Sequence, residues 1–247
     1  PIADDSSING GTVQLLVSTD GGGSFVPLDT PSTISAVNTN KTISVASGVL
    51  EGVAGFGESD VLQFKATITD TSGNATTGTV SDTTLTVDQT AATISTSSIA
   101  SDNETVTLAK TGDTVTLTIA TNENVSSPTV TFTSGGAAAT NADTVSGASP
   151  GTSFTSAYTV DASDTDGTVA ISITATDVAG NTTSGFTTIS AGSVTVDQTA
   201  PASQKTQGVV TTGGDNQVAG YWNSGNTGVD ITVQIADDSS INGGTVQ

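Results

Sequence analysis

Apolar and polar residues alternate singly along much of this chain. Val115, Leu117 and Ile119 alternate with Thr116 and Thr118. Val169, Ile171, Ile173 and Ala175 alternate with Ala170, Ser172 and Thr174, and Leu62, Phe64, Ala66 and Ile68 alternate with Gln63, Lys65 and Thr67. A period of two with Thr and Ser on the outer positions predicts strands with one dry face and one wet face. Clusters such as Gly21-Gly22-Gly23, Ser72-Gly73-Asn74 and Gly135-Gly136 separate the runs and read as turns. No stretch carries apolar residues at helical spacing. About seven such strands in roughly 100 residues predict an all-β chain built of antiparallel sandwiches.

Two repeats lie on top of this pattern. The block IADDSSINGGTVQ at residues 2–14 returns unchanged at residues 235–247, an offset of 235 − 2 = 233. Such identity predicts an excerpt from a longer array, with copies following end to end. Inside that unit lies a diverged twofold repeat. VDQTA occurs at residues 87–91 and at 196–200, each preceded by a D-x-x-G-N loop at Asp70 to Asn74 and at Asp177 to Asn181. The run from Ala3 aligns with the run from Ala120, placing Val13 on Val130 and Leu15 on Phe132. TGVDITVQI from Thr227 aligns with TGDTVTLTI from Thr111.

The expected domains are therefore three. Residues 1–90 form a domain lacking its first two strands, residues 91–200 a complete domain, and residues 201–247 supply the first strands of the next repeat. The C-terminal segment is expected to pack against the N-terminal part of an adjacent copy, head to tail. Neighbours are then either one continuous polypeptide or separate subunits that exchange strands. The thirteen-residue overlap favours continuity.

Composition narrows the chemistry. There are 24 acidic residues against four lysines, for a net charge of −20. That surface repels nucleic acid and anionic lipid and attracts cations. Cys, His and Met are all absent, which removes disulfides, thiol nucleophiles, thiolate or imidazole zinc sites and any Ser-His-Asp triad. No apolar run approaches the length of a membrane-spanning helix. Any leader or anchor is expected outside this stretch.

The ordered motifs carry a resemblance. Gly112-Asp113-Thr114-Val115-Thr116-Leu117, then ISITATDVAGN from Ile171, then Val196-Asp197-Gln198-Thr199-Ala200-Pro201, resemble the bacterial immunoglobulin-like domains found in tandem in giant surface adhesins. The second domain matches over nearly its whole length. The split domain departs, with Gly228-Val229-Asp230 in place of Gly-Asp and Ala92 in place of the linker proline. The resemblance implies tandem immunoglobulin-like sandwiches, an extracellular or cell-surface location, a stalk or filament role without catalysis, and Ca²⁺ at domain junctions.

Asp70, Asn74 and Asp88 form one candidate ligand set, and Asp177, Asn181 and Asp197 the other. Each joins a loop at one end of a sandwich to the linker expected to leave that end. Hard oxygens of this kind suit Ca²⁺, which takes six to eight of them. The competing reading is that Asp and Asn only shape turns through nearby backbone N–H groups. Asn122 and Glu123, with counterparts Asp5 and Ser6, lie in a loop able to contribute. Asp161, Asp164 and Asp166 resemble the start of a calcium loop but lack the distal glutamate, and read as an acidic turn. Tyr221 and Trp222 either close one end of a core or form a stacking patch for sugar. An exposed patch there would favour the alternative, a carbohydrate- or partner-binding module of a secreted protein.

Overall fold

A computed structural model describes residues 7–37, 39–141, 145–201, 206–214 and 217–235. Its strands fall into three groups, and the all-β antiparallel expectation holds. The first group contains β1 (Thr12–Ser18), β2 (Val26–Thr33), the short helix α1 (Ser47–Glu51), β3 (Val61–Thr69), β4 (Ala75–Thr77) and β5 (Leu85–Thr86). They form one sheet in the order β2-β1-β3-β4, with β5 also on β3. The helix buries no residue, so it is a surface turn that needs no apolar stripe, and the hydropathy pattern does not foretell it.

The second group is a closed sandwich. It contains β6 (Ile94–Ser101), β7 (Leu108–Ala109), β8 (Thr114–Val125), β9 (Thr129–Ser134), β10 (Ala137–Ala138), β11 (Gly151–Thr159), β12 (Gly167–Thr176), β13 (Thr182–Phe186) and β14 (Thr195–Val196). One sheet runs β11-β8-β6. The other runs β10-β9-β12-β14-β7, with β13 also on β12. This is the immunoglobulin arrangement, in which the first, second and fifth main strands face the third, sixth and seventh. The inner residues are those the alternation picks out. Val115, Leu117 and Ile119 of β8 and Val169, Ile171, Ile173 and Ala175 of β12 are buried, and Phe132, Phe154 and Tyr158 fill the space between the sheets. The Phe132 and Tyr158 rings meet at 5.1 Å with a 44° tilt. Each fully buried aliphatic or aromatic side chain contributes about 1.5–3 kcal/mol.

Two features close the edges of this sandwich. The strand β7 pairs with β14 in parallel, Leu108 with Thr195 and Ala109 with Val196. Upstream, the segment before β14 lies along β6, where the Ser190 and Ala191 N–H groups donate to the Ser97 carbonyl and the Ile99 N–H donates to the Ala191 carbonyl. The buried Ser97 hydroxyl donates to the Thr188 carbonyl at 2.7 Å.

The third group is a lone hairpin, β15 (Thr206–Gly214) against β16 (Asn226–Val233). It matches the β6–β8 pair of the sandwich. Val209 lies opposite Ile231, as Ser101 lies opposite Val115. The burial does not match: Ile231 is 60 % exposed and Ile235 52 %, whereas Val115 and Ile119 are fully buried.

One alignment is corrected by the ladders. Leu15 pairs with Ala66, four residues before Asp70. Val130 pairs with Ile173, four residues before Asp177. Leu15 therefore occupies the place of Val130, not of Phe132. A slip of two residues keeps every side chain on its own face, so alternation is blind to it.

Candidate functional site

The two D-x-x-G-N loops are built alike. In each, the aspartate turns back over its own loop. Asp177 Oδ1 accepts from the Gly180 N–H at 2.7 Å and the Asn181 N–H at 2.9 Å, and its Oδ2 accepts from Asn181 Nδ2 at 3.0 Å. Asp70 Oδ1 accepts from the Ser72 and Asn74 N–H groups, each at 2.8 Å, and its Oδ2 accepts from Asn74 Nδ2 at 2.9 Å. Asn at the fifth position closes the loop with both backbone and side chain, and Gly73 and Gly180 supply the positive φ (92° and 103°) that the tight turn requires.

The Asp177 loop sits where the chain arrives at the complete domain. Val125, at the end of β8, bridges Asp177, and Thr121, just before it, pairs with Ile94 at the start of β6. The last strand then runs back antiparallel to β12 and carries the outgoing linker to the far end, where the Asp197 N–H donates to the Ala109 carbonyl. This topology regroups the candidate ligands. Asp88 meets the loop of the domain that follows it: Asn181 Nδ2 donates to Asp88 Oδ1 at 3.1 Å and to its carbonyl at 3.2 Å. Asp70 and Asn74 stay together, with Asp88 in the other group. Asp197 stands apart from Asp177 and Asn181, and among the described residues its carboxylate caps the Thr199 N–H.

Glu123 joins the regrouped set. Carboxylate oxygens of Asp88, Glu123 and Asp177 lie within 4.8 Å of one another, with Asp177 buried and the other two half-buried. Glu123 follows Asn122, whose side-chain oxygen accepts the Thr93 N–H at 2.6 Å and so ties the end of β8 to the linker. Both residues lie within that strand and not in the loop expected from the sequence, because the ladder to β6 continues to Thr121 and Val125 bridges Asp177. Three carboxylates this close repel unless a cation sits among them, and the cluster can hold a metal ion. The counterparts Asp5 and Ser6 lie outside the described residues. The Ser7 hydroxyl donates to Asp70 Oδ2 at 3.4 Å.

The other acidic run makes turns. Asp161 Oδ1 accepts from the Ser163 N–H and hydroxyl, Asp164 accepts the Asp161 N–H, and Asp166 accepts the Gln198 N–H and the Thr199 hydroxyl. Lys65 points outward as alternation requires, with Nζ 3.9 Å from the centre of the Phe25 ring. Tyr221 and Trp222 are 71 % and 62 % exposed and lie beside Val209 and Val229 in a shallow cleft.

Desolvation is the largest single influence on Asp177 and pushes its carboxyl up. The bonds from the Asn181 side chain and backbone and from Gly180 and Ala179 together outweigh it, so the group stays ionised below the ordinary aspartate value of 3.8. The Asn74 side chain, then its backbone, does the same for Asp70. An unfolded chain takes up these protons at higher pH than the folded one, so acid favours unfolding. Stability of the complete domain is expected to be full above about pH 4 and to fall as pH drops through the depressed value. Thermal melts between about pH 6 and pH 2 check this, and an Asp177→Asn chain with an unchanged profile would remove Asp177 as the cause.

No family model and no curated protein matches the chain. Among solved structures it is similar to a tetra-tandem repeat in the extending region of a large adhesion protein, at 20 % identity and a TM-score of 0.34, covering 96 % of this chain and 57 % of that one. It is also similar to SGBP-B of the Bacteroides ovatus mixed-linkage glucan utilization locus in complex with a mixed-linkage heptasaccharide. That likeness has 16 % identity and a TM-score of 0.18, covering 76 % of this chain and 37 % of that one. The chain thus spans less than two thirds of either structure.

Proposed function

We propose that this chain is a stalk segment of a long extracellular bacterial repeat protein, an adhesin or surface fibre of immunoglobulin-like domains placed end to end. The observation that carries this reading is the junction at Asp88. The linker is fastened by side chain and backbone to the loop of the next domain, and the chain leaves that domain at the opposite end. Domains joined in that manner extend a line. Stiffness then depends on each junction in turn, as in other quasi-one-dimensional arrays.

Calcium fits the junction. Asp88, Glu123 and Asp177 offer hard carboxylate oxygens and no nitrogen or sulfur ligand, a set suited to Ca²⁺ over zinc or copper. The Asp88 carbonyl, the Asn181 amide oxygen and water are the sources for the remaining ligands. Binding would cancel the repulsion among the carboxylates and hold the linker on the loop. Extracellular modules of this type bind with a Kd on the order of 10⁻⁴–10⁻³ M. A second junction of the same kind would form where Asp197 leads into the Asp70–Asn74 loop of the next copy.

Small-angle scattering and titration calorimetry on the chain, with calcium and then with chelator, test both parts. Calcium is expected to give a binding heat and a narrower distribution of interdomain distances. Absence of heat together with identical scattering would reduce the cluster to a turn former. A compact particle with domains side by side would defeat the stalk reading itself.

The exposed Tyr221 and Trp222 support a second reading, a carbohydrate-binding module in which sugar rings stack on these side chains. Trp222 is the sole tryptophan of the chain, so its emission reports directly on oligosaccharide addition. An unchanged spectrum at millimolar sugar would dismiss that reading.

A further inference from the structure

Among the described residues the inner face of the first sheet is covered only in part: Val13 and Ile34 are buried with Ile43 packed against them, while Leu15, Ala66 and Ile68 are half-buried. Val13 and Leu15 of β1 and Ala66 and Ile68 of β3 line a cleft of about 370 Å³ with Ile43 and Lys41. Residues 41–45 form its rim. They alternate half-buried Lys41, Ile43 and Val45 with exposed Thr42 and Ser44, the pattern of a strand, yet their backbone groups make no hydrogen bond to any described residue. In the complete domain the strand that precedes β12 is β11, and its partner is β8. The rim therefore stands in the place of β11 with the equivalent of β8 missing.

The missing piece exists elsewhere in the chain. The strand β16 aligns with β8 and carries β15 on its flank, as β8 carries β6. On one face of this hairpin lie Val209, Val229, Ile231, Val233 and Ile235, most of them exposed. A half-covered apolar cleft with an unpaired strand edge and an exposed apolar hairpin are complementary halves of one sandwich. They cannot meet within one chain. Their connection runs through the complete domain, whose strands of about ten residues span roughly 33 Å. The stretch from Val196 to Thr206 reaches at most about 36 Å, which leaves nothing to travel back along the first sheet.

We propose that the cleft beneath residues 41–45 accepts the β15–β16 hairpin of a second copy of this chain, with Ile231, Val233 and Ile235 entering against Val13, Ile43 and Ile68. The incoming β16 pairs antiparallel with residues 41–45, and β15 becomes the outer strand. The residues that follow β16 repeat residues 2–14, so hairpin and sheet join through the same sequence whichever chain supplies it. This deepens the stalk reading by naming the contact between copies. It rests on that reading only for the direction of growth.

Sedimentation of the 247-residue chain over a range of concentrations tests the contact, with the emission of Trp222 recorded in parallel. The wild-type chain is expected to form dimers and longer species as concentration rises, with a blue shift as Trp222, beside Val209 and Val229, becomes covered. Ile231→Asp in the hairpin and Ile43→Asp in the cleft are each expected to leave monomers. An equimolar mixture of the two stops at a dimer, because it holds one sound hairpin and one sound cleft per pair. A wild-type chain that stays monomeric to about 1 mM, or a variant that associates as the wild type does, overturns the proposal. A second measurement does not depend on the variants folding. The chain has no cysteine, so Ser44→Cys chains mixed with Thr232→Cys or Gln234→Cys chains should form a disulfide-linked heterodimer under mild oxidation. Cross-linking no greater than with Val178→Cys, on the exposed loop of the complete domain, overturns it as well. The calcium experiment reads a junction inside one chain, so either idea can fail alone.

Discussion

Ile119→Ala is expected to destabilise the complete domain by about 2–5 kcal/mol, and Ile235→Ala in the isolated chain by less than about 0.5 kcal/mol. The two residues occupy the same aligned position, Ile119 within β8 and Ile235 two residues past the end of β16. Ile119 is fully buried, facing Phe154 across the ladder and the β12 side chains across the core. Its truncation leaves a cavity that rigid neighbours cannot fill. Ile235 is 52 % exposed, so its loss removes little that water has not already reached. Urea unfolding followed by far-UV circular dichroism of each variant measures the pair. Equal costs at the two positions would mean that the hairpin is already covered in the chain as it stands. At concentrations where copies associate, the cost of Ile235→Ala is expected to rise toward that of Ile119→Ala.

Gly192→Val is expected to cost about 3 kcal/mol or more. Gly192 has φ = +79°, and a Cβ there would lie 2.2 Å from the Ile99 carbonyl oxygen. The neighbour is backbone in the middle of β6, held on its other side by β8, so it cannot yield as a flexible side chain would. The residues just before Gly192 make the bonds that tie the last segment to β6. Forcing them away opens that edge of the sandwich and leaves Ser97 without its partners. Hydrogen exchange at the Ile99 and Ala191 amides locates the damage. Full protection at both in the variant would show that the segment tolerates a side chain.

Much of this fold is visible in the residues before any coordinates. The strands β8 and β12 alternate so regularly that Val115, Leu117, Ile119 and the Val169–Ala175 set are identified as core by period alone. The short parallel pair β7–β14 is not, because two residues carry no period. Residues 41–45 show the opposite case. Their alternation is strand-like, yet they join no ladder among the described residues, because pairing is set by neighbours distant in sequence and not by period.

The site was legible in its parts and not in its grouping. The two D-x-x-G-N loops announce themselves by spacing, and Asp88 and Asp197 by their repeated linker. Which aspartate meets which loop depends on the direction of the final strand. That strand returns along the domain, so Asp88 joins Asp177 and Asn181 while Asp197 departs from them. The sequence signal for Glu123 was its place beside Asn122 in the aligned front halves, read as a loop though both residues lie at the end of β8. Its half-burial against Asp88 is a tertiary fact.

The parallel contact of the first and last strands has a mechanical consequence. Tension applied through the two linkers pulls the β6–β7 edge toward one end of the domain and β14 toward the other. Hydrogen bonds from Ser97 to Ala109 and from Ser190 to Asp197 then bear the load in shear, all together, instead of peeling open one at a time. A tether built from such units would hold its length under flow and yield only when a whole clamp gives way.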